Sequence, residues 1–281
     1  MVHHHLNDDS FKYPDSQPQM IKIYIFVTVI LFSISGFAQS NYDLETVRET
    51  ALISTGVSAS TFALYLLSKI EPPTEEEIKN LSRENVNSFD RFATYNWSPT
   101  ASDISDVLLI TQMLSPLTLF SSNQIREDYK TFLTMNAELY LLYYGTTHVT
   151  KSLAGSFRPY LYNKNVSLKE KTDRETKLSF FSGHAALSFA SAVFISTVYS
   201  RYYPDSKWRS VIWGSSLLMA SITASLRVIS GMHFLSDILI GAAVGSVIGY
   251  LVPLIHEINK NQNKEDLINN SRNIISFVIA F

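Results

Sequence analysis

Six long apolar stretches limit this chain to a small number of folds, because their lengths suit helices that cross a lipid bilayer. A helix needs about 20 apolar residues to span the hydrocarbon core. The stretches are too long for strands and do not alternate apolar with polar residues. The sequence therefore predicts an all-α fold, a bundle of about five to six long apolar helices embedded in a membrane. The stretches, which carry very few charges, are residues 51–70, 104–122, 132–147, 178–200, 211–226 and 238–255.

Composition excludes several function classes. The net charge of −2 gives no electrostatic basis for binding nucleic acid. The chain has no cysteine, which rules out disulfides, thiolate metal sites and a cysteine nucleophile. No group of side chains shows metal-ligand spacing along the sequence, so we expect neither a metal ion nor another cofactor.

Residues 20–40, MIKIYIFVTVILFSISGFAQS, have the pattern of a secretory signal, with an uncleaved membrane anchor as the alternative. Lys22 precedes an apolar run, and small residues follow at a possible cleavage point near Ala38. We divide the chain into an N-terminal extension with this segment (1–38), N-terminal helices with a polar connecting loop (39–128), a core (129–256) and a C-terminal tail (257–281).

A histidine and an aspartate stand four residues apart where two apolar stretches meet, in SLRVISGMHFLSD (225–237). Polar and charged groups in such surroundings cost free energy unless they are paired or used. On a helix, His233 and Asp237 lie on one face. The carboxylate can then orient the imidazole and raise its basicity, as in a catalytic triad.

Three cations suit a phosphate, because arginine grips its oxygens in pairs and lysine supplies a compact charge. They are Lys151, Arg158 and Arg227. Lys151 and Arg158 are seven residues apart, so we expect them on nearly one face of a helix that breaks at Pro159. The motif Ser182-Gly183-His184 (FSGH) is expected to begin the next helix, whose free backbone N–H groups suit another phosphate oxygen.

Together these motifs resemble the type 2 phosphatidic acid phosphatase superfamily, which includes lipid phosphatases, bacterial acid phosphatases and vanadium haloperoxidases. The likeness lies in Lys-x6-Arg-Pro, Ser-Gly-His and Arg-x5-His-x3-Asp, in that order, over about residues 140–253. Phe181 replaces a usual proline and Leu226 a frequent serine. Neither change removes a charged group, so we expect an active enzyme.

The resemblance implies a metal-independent phosphoric ester hydrolase. His233 is then the nucleophile that becomes a phosphohistidine, Asp237 orients it, and His184 protonates the leaving oxygen and later activates water. The phosphate-binding residues implied are Lys151, Arg158, Ser182, Gly183 and Arg227. Asp106, a lone acid in an apolar stretch, matches no family motif, and we expect it to make a hydrogen bond at a helix end or between helices.

The apolar stretches favour a lipid phosphate monoester or diphosphate as the substrate. A soluble periplasmic acid phosphatase, a vanadate-dependent haloperoxidase and a non-catalytic membrane scaffold remain as alternatives. Basic residues in segments 123–130 and 201–209 and in the tail predict that those segments are cytoplasmic. The site would then face the periplasm from an inner membrane, provided that 51–70 lies against the bundle or the interface instead of spanning. The sequence indicates no oligomeric state.

Overall fold

The computed structural model describes residues 41–258. Its helices are α1 (Thr46–Leu67), α2 (Glu75–Lys79), α3 (Pro99–Leu114), α4 (Asn123–Glu127), α5 (Tyr129–Ala154), α6 (Leu168–Lys171), α7 (Gly183–Tyr202), α8 (Trp208–Ile229) and α9 (Leu235–His256). Short 3-10 turns lie at Arg83–Asn85, Arg91–Tyr95, Ser115–Ser121, Pro159–Tyr162 and Arg174–Lys177. Over these residues the chain has no strand, only one isolated bridge between Tyr42 and Glu257. The all-α prediction is confirmed, and α1, α3, α5, α7, α8 and α9 are the long helices.

The long helices alternate in direction along the chain. Gln112 of α3 donates to Thr223 of α8 at 2.6 Å, whereas Ser102 of α3 contacts Arg227 further along α8, so these two helices are antiparallel. As a result, α1, α5 and α8 end at one end of the bundle, where α3, α7 and α9 begin. The residues of all three sequence motifs are carried to that end.

Helix α7 is the centre of the bundle, and its neighbours expose apolar surface. Nearly every residue of α7 from Ala185 to Val198 is buried, including the small polar residues Ser188, Ser191 and Ser196. By contrast, four helical segments that are long and apolar enough to cross a membrane bury few of their residues inside the protein: Thr46–Leu67, Pro99–Ser121, Trp208–Ile229 and Leu235–His256. Exposed apolar faces of this extent are typical of contact with lipid.

Glycines allow α9 to approach α7 very closely. A Cβ atom added to Gly245 would lie 1.9 Å from the carbonyl oxygen of Ala186, and one added to Gly249 would lie 2.3 Å from that of Ala190. Small residues spaced four apart permit this backbone-to-backbone packing between membrane helices. The close approach brings the start of α9 beside the start of α7.

Helix α1 packs along α5 as a full member of the bundle. Gly56 lies against Leu141. Gly145, which is four residues after Leu141 on α5, lies against Ala59. The stretch predicted to lie against the bundle or the interface instead of spanning forms this helix, whose length and composition suit a membrane span. The signal predicted over residues 20–40 lies outside the described residues.

Candidate active site

Lys151 and Arg158 reach the site from different elements. Helix α5 ends at Ala154, and Gly155 adopts a left-handed conformation with φ of 55°, which turns the chain before Arg158. The prediction that both cations share one helical face is therefore wrong, because the glycine ends the helix between them. Arg158 instead precedes the turn Pro159–Tyr162.

Both cations are buried and hold the loop that leads into α7. The ammonium of Lys151 donates to the carbonyl oxygens of Leu178 at 2.6 Å and Ser179 at 3.2 Å. Arg158 donates through Nε to the carbonyl of Glu175 at 2.8 Å, and its Nη2 lies 3.5 Å from the Glu175 carboxylate. These bonds fix the two positive charges in place before any ligand arrives.

The Ser182-Gly183-His184 motif begins α7, as expected from the sequence. Ser182 is the N-cap and its side chain accepts from the Ala185 N–H at 3.3 Å. A Cβ atom on Gly183 would lie 3.2 Å from the Tyr143 hydroxyl and 3.3 Å from a Thr147 methyl, so little space is left there. The N-terminus of a helix favours an anion through its free N–H groups and its dipole.

Arg227 packs against one face of α3. Its Nη1 contacts the hydroxyls of Ser102 at 3.0 Å and Ser105 at 2.9 Å, and it lies 3.1 Å from Oδ1 of Asp106. The same Asp106 oxygen is 2.6 Å from Nε2 of His184. Asp106 thus makes the predicted hydrogen bond between helices, and it links a phosphate-binding candidate to a catalytic candidate.

A tight turn places His233 beside Arg227. Gly231, with φ of 77°, reverses the chain after α8, and a side chain there would collide with the carbonyl oxygen of Asn96 at 2.4 Å. The backbone N–H of His233 then donates to the Arg227 carbonyl at 3.1 Å. The imidazole of His233 is almost fully buried.

Asp237 lies next to His233, although the two do not share a helix. His233 precedes α9, and Asp237 is in its first turn, with Oδ2 3.5 Å from His233 Nδ1. Oδ2 accepts hydrogen bonds from the Ser179 hydroxyl at 2.6 Å and the Phe234 N–H at 3.0 Å, whereas Nδ1 of His233 has no hydrogen-bond partner within residues 41–258. The same-helix expectation is wrong, because α9 starts two residues after His233. Proximity comes instead from the extended backbone before the helix.

The electrostatic surroundings keep the His233 imidazole neutral. Burial is the main cause, and the positive charges of Lys151, Arg158 and Arg227 add to it, so the pKa of His233 lies well below its usual 6.5. His184 lowers this pKa further. The predicted site residues therefore lie close enough to interact, and a neutral imidazole within a group of fixed cations can act as a nucleophile on the phosphorus of a phosphate whose oxygens the cations hold.

Sequence reasoning missed the α3 side of this site. Ser102, Ser105 and Asp106 come from a stretch with no family motif, and their spacing of three and four residues places them on one helical face. That spacing beside the lone acid Asp106 was the available signal. Ser179, which holds the Asp237 carboxylate, stands in a loop and gave none.

Residues 133–261, a little under half of the chain, match the model of the PAP2 superfamily. This match confirms the resemblance drawn from the three motifs. The matched region contains every predicted site residue, whereas Ser102, Ser105 and Asp106 lie before it.

Two named proteins are similar to this chain. A lipid A 1-phosphatase of Porphyromonas gingivalis is 38% identical over 73 residues, which are 26% of this chain but only 15% of that protein. A crystal structure of a transmembrane PAP2 type phosphatidylglycerolphosphate phosphatase from Bacillus subtilis is 21% identical. That alignment covers 70% of this chain and 93% of the other, with a TM-score of 0.41.

Proposed function

We propose that this protein is a membrane phosphatase that hydrolyses a lipid phosphate monoester or diphosphate through a phosphohistidine. One observation carries the proposal: the buried cations Lys151, Arg158 and Arg227 interact with the imidazole of His233 at the end of the bundle where α7 begins. Phosphoryl transfer depends mainly on positioning and on stabilising negative charge. Fixed cations and helix N–H groups meet both needs.

The proposed reaction has two steps. Because Nδ1 of His233 faces Asp237, Nε2 is the attacking atom: it bonds to phosphorus as the bond to the lipid oxygen breaks, and His184 gives that oxygen a proton. His184 then takes a proton from water, whose oxygen bonds to phosphorus as the P–N bond breaks and phosphate leaves. The cations, Ser182 and the Gly183 N–H stabilise the phosphoryl oxygens throughout.

The exposed apolar faces of the bundle support a lipid substrate. Helices α1, α3, α8 and α9 bury few of their residues inside the protein. A bilayer around them would bring lipid headgroups to the level of the helix ends, where the charged site lies. Lipid A carrying a 1-phosphate is the first substrate to test, because the relative matched over 73 residues is named for that reaction.

Phosphate release from a panel of lipid phosphates, in detergent with excess EDTA, tests the proposal. Wild type and His233→Ala are compared with His148→Gln, which changes a partly buried histidine outside the predicted site. We expect release that survives EDTA, is lost in His233→Ala and persists in His148→Gln. Equal release by wild type and His233→Ala would contradict the nucleophile, and turnover of soluble esters alone would favour an acid phosphatase.

We propose further that the phosphatase core covers 129–256 and that the site faces the periplasm. Residues 41–45, at the opposite end of the bundle, would then be cytoplasmic. In this arrangement α1 spans the membrane, contrary to the condition set from the sequence, and residue 41 does not follow a cleaved secretory signal. Because the chain has no cysteine, single introduced cysteines report the side directly. A membrane-impermeant maleimide added to intact cells should label Lys164→Cys, in the loop at the site, but not Asp205→Cys, between α7 and α8. The reverse pattern would place the site in the cytoplasm.

A further inference from the structure

A second group of buried ionisable side chains lies at the other end of the bundle. Glu49 of α1, Glu138 of α5 and His256 of α9 form this group, named here the Glu–Glu–His cluster. All three are buried, and one ligand atom from each lies within 4.8 Å of the others. Helix α9 runs between His233 and His256, so about 30 Å separates the cluster from the candidate active site.

The imidazole of His256 has a fixed orientation. Its Nδ1 lies 2.8 Å from the carbonyl oxygen of Val252, which can only accept, so Nδ1 carries a hydrogen. Its Nε2 points at two carboxylates, 2.8 Å from Oε2 of Glu49 and 3.1 Å from Oε2 of Glu138. Metal-bound histidines are held in the same way, with the other ring N–H donated to a carbonyl or carboxylate.

Glu138 is the least satisfied member of the cluster. It is completely buried, its Oε1 has no hydrogen-bond partner among the described residues, and its Oε2 faces only the Nε2 of His256, at 3.1 Å. Glu49, by contrast, receives hydrogen bonds from Arg48 and from the backbone N–H of Glu45 through its Oε1. A buried carboxylate with one oxygen unpartnered is costly, and a positive charge at the cluster would reduce that cost.

We propose that the Glu–Glu–His cluster binds a divalent transition-metal ion. The ligands are His256 Nε2 and one oxygen each from Glu49 and Glu138. One imidazole and two carboxylates form a donor set suited to Zn²⁺, and their two negative charges neutralise it inside the bundle. Ligands of a tetrahedral Zn²⁺ lie about 3.4 Å apart. The separations of 2.8 and 3.1 Å between His256 Nε2 and the two carboxylate oxygens are a few tenths of an ångström shorter.

The ion would connect α1 to the region that matches the PAP2 model. Glu138 and His256 belong to residues 133–261, whereas Glu49 lies outside them. Sequence spacing gave no sign of this site, because its three ligands come from three helices far apart in the chain. The absence of metal-ligand spacing along the sequence therefore does not exclude a metal site formed by distant residues in the folded chain.

Metal content of the full chain tests the proposal. The detergent-purified protein is stripped with EDTA, desalted, equilibrated with Zn²⁺ and analysed by elemental mass spectrometry. Glu138→Gln and His256→Gln each remove one ligand at similar volume, and Glu127→Gln changes an exposed glutamate as a control. All four proteins keep His3 to His5, so only differences between them count.

Wild type and Glu127→Gln should each hold one Zn²⁺ more than the two ligand variants, whose affinity should fall on the order of 100-fold. At a hundredfold excess of Zn²⁺ over Kd, the unfolding midpoint of wild type should rise by about 5–10 °C. Equal Zn²⁺ content in all four proteins would overturn the proposal, as would the absence of Zn²⁺ from wild type. That last result would mean that protons alone neutralise the cluster.

Discussion

Replacing Gly245 with alanine tests whether the close contact of α7 with α9 holds the bundle together. The new Cβ would lie 1.9 Å from the carbonyl oxygen of Ala186 and 2.7 Å from its carbonyl carbon. These are backbone atoms, so no side-chain rotation relieves the overlap. The two helices would have to separate locally by at least about 1 Å, because carbon contacts are normal only near 3.5 Å.

Overpacking of this kind costs about 1–3 kcal/mol. For a bundle of this size, that corresponds to a fall in the unfolding midpoint of about 3–10 °C. The matched control is Gly214→Ala on α8, where an added Cβ meets nothing within 4 Å. The control should keep the wild-type midpoint or raise it by about 2–4 °C, since alanine is the better helix former.

Thermal unfolding in detergent, followed by circular dichroism, measures both midpoints. Phosphate release at a permissive temperature should also fall more in Gly245→Ala. The reason is that the Ser182 N–H donates to the Asp237 carbonyl at 3.0 Å, so a shift of α9 is passed to the start of α7. If Gly245→Ala unfolds at the same temperature as Gly214→Ala, the close contact does not stabilise the bundle and the reasoning fails.

Three further predictions concern the site. Asp106→Asn removes a negative charge beside Arg227 and weakens the contact with His184, so the inhibition constant for inorganic phosphate and kcat should both fall. Steady-state kinetics in which the inhibition constant and kcat are both unchanged would contradict this. The pKa of His233 lies below 6.5, so kcat/KM, corrected for substrate ionisation, should fall on the acid side only below pH 6.5. A fall in kcat/KM centred above pH 6.5 would exclude His233 as the neutral nucleophile. Arg158→Lys loses the paired donors, so kcat/KM should fall by about tenfold or more, and an unchanged value would show that this cation does not grip the phosphate.

The sequence predicted the helices well because apolar length is a strong local signal. It also predicted which charged residues meet, because the motif order is specific. It failed where the answer depended on backbone turns: Gly155 ends α5 before Arg158, and α9 starts after His233. Contacts between distant helices, such as Asp106 with His184, have no signature in a single sequence beyond an acid in an apolar stretch.

The pairing of charges in the site explains how cations can stay buried before a substrate binds. Arg227 is 3.1 Å from Asp106, and Arg158 is 3.5 Å from Glu175. Both carboxylates are more than half exposed, so moving them toward water costs little, whereas the buried cations cannot follow. An arriving phosphate would replace these exposed carboxylates as the partner of the fixed cations. Because Asp106 comes from α3, this exchange depends on a helix outside the residues that match the PAP2 model.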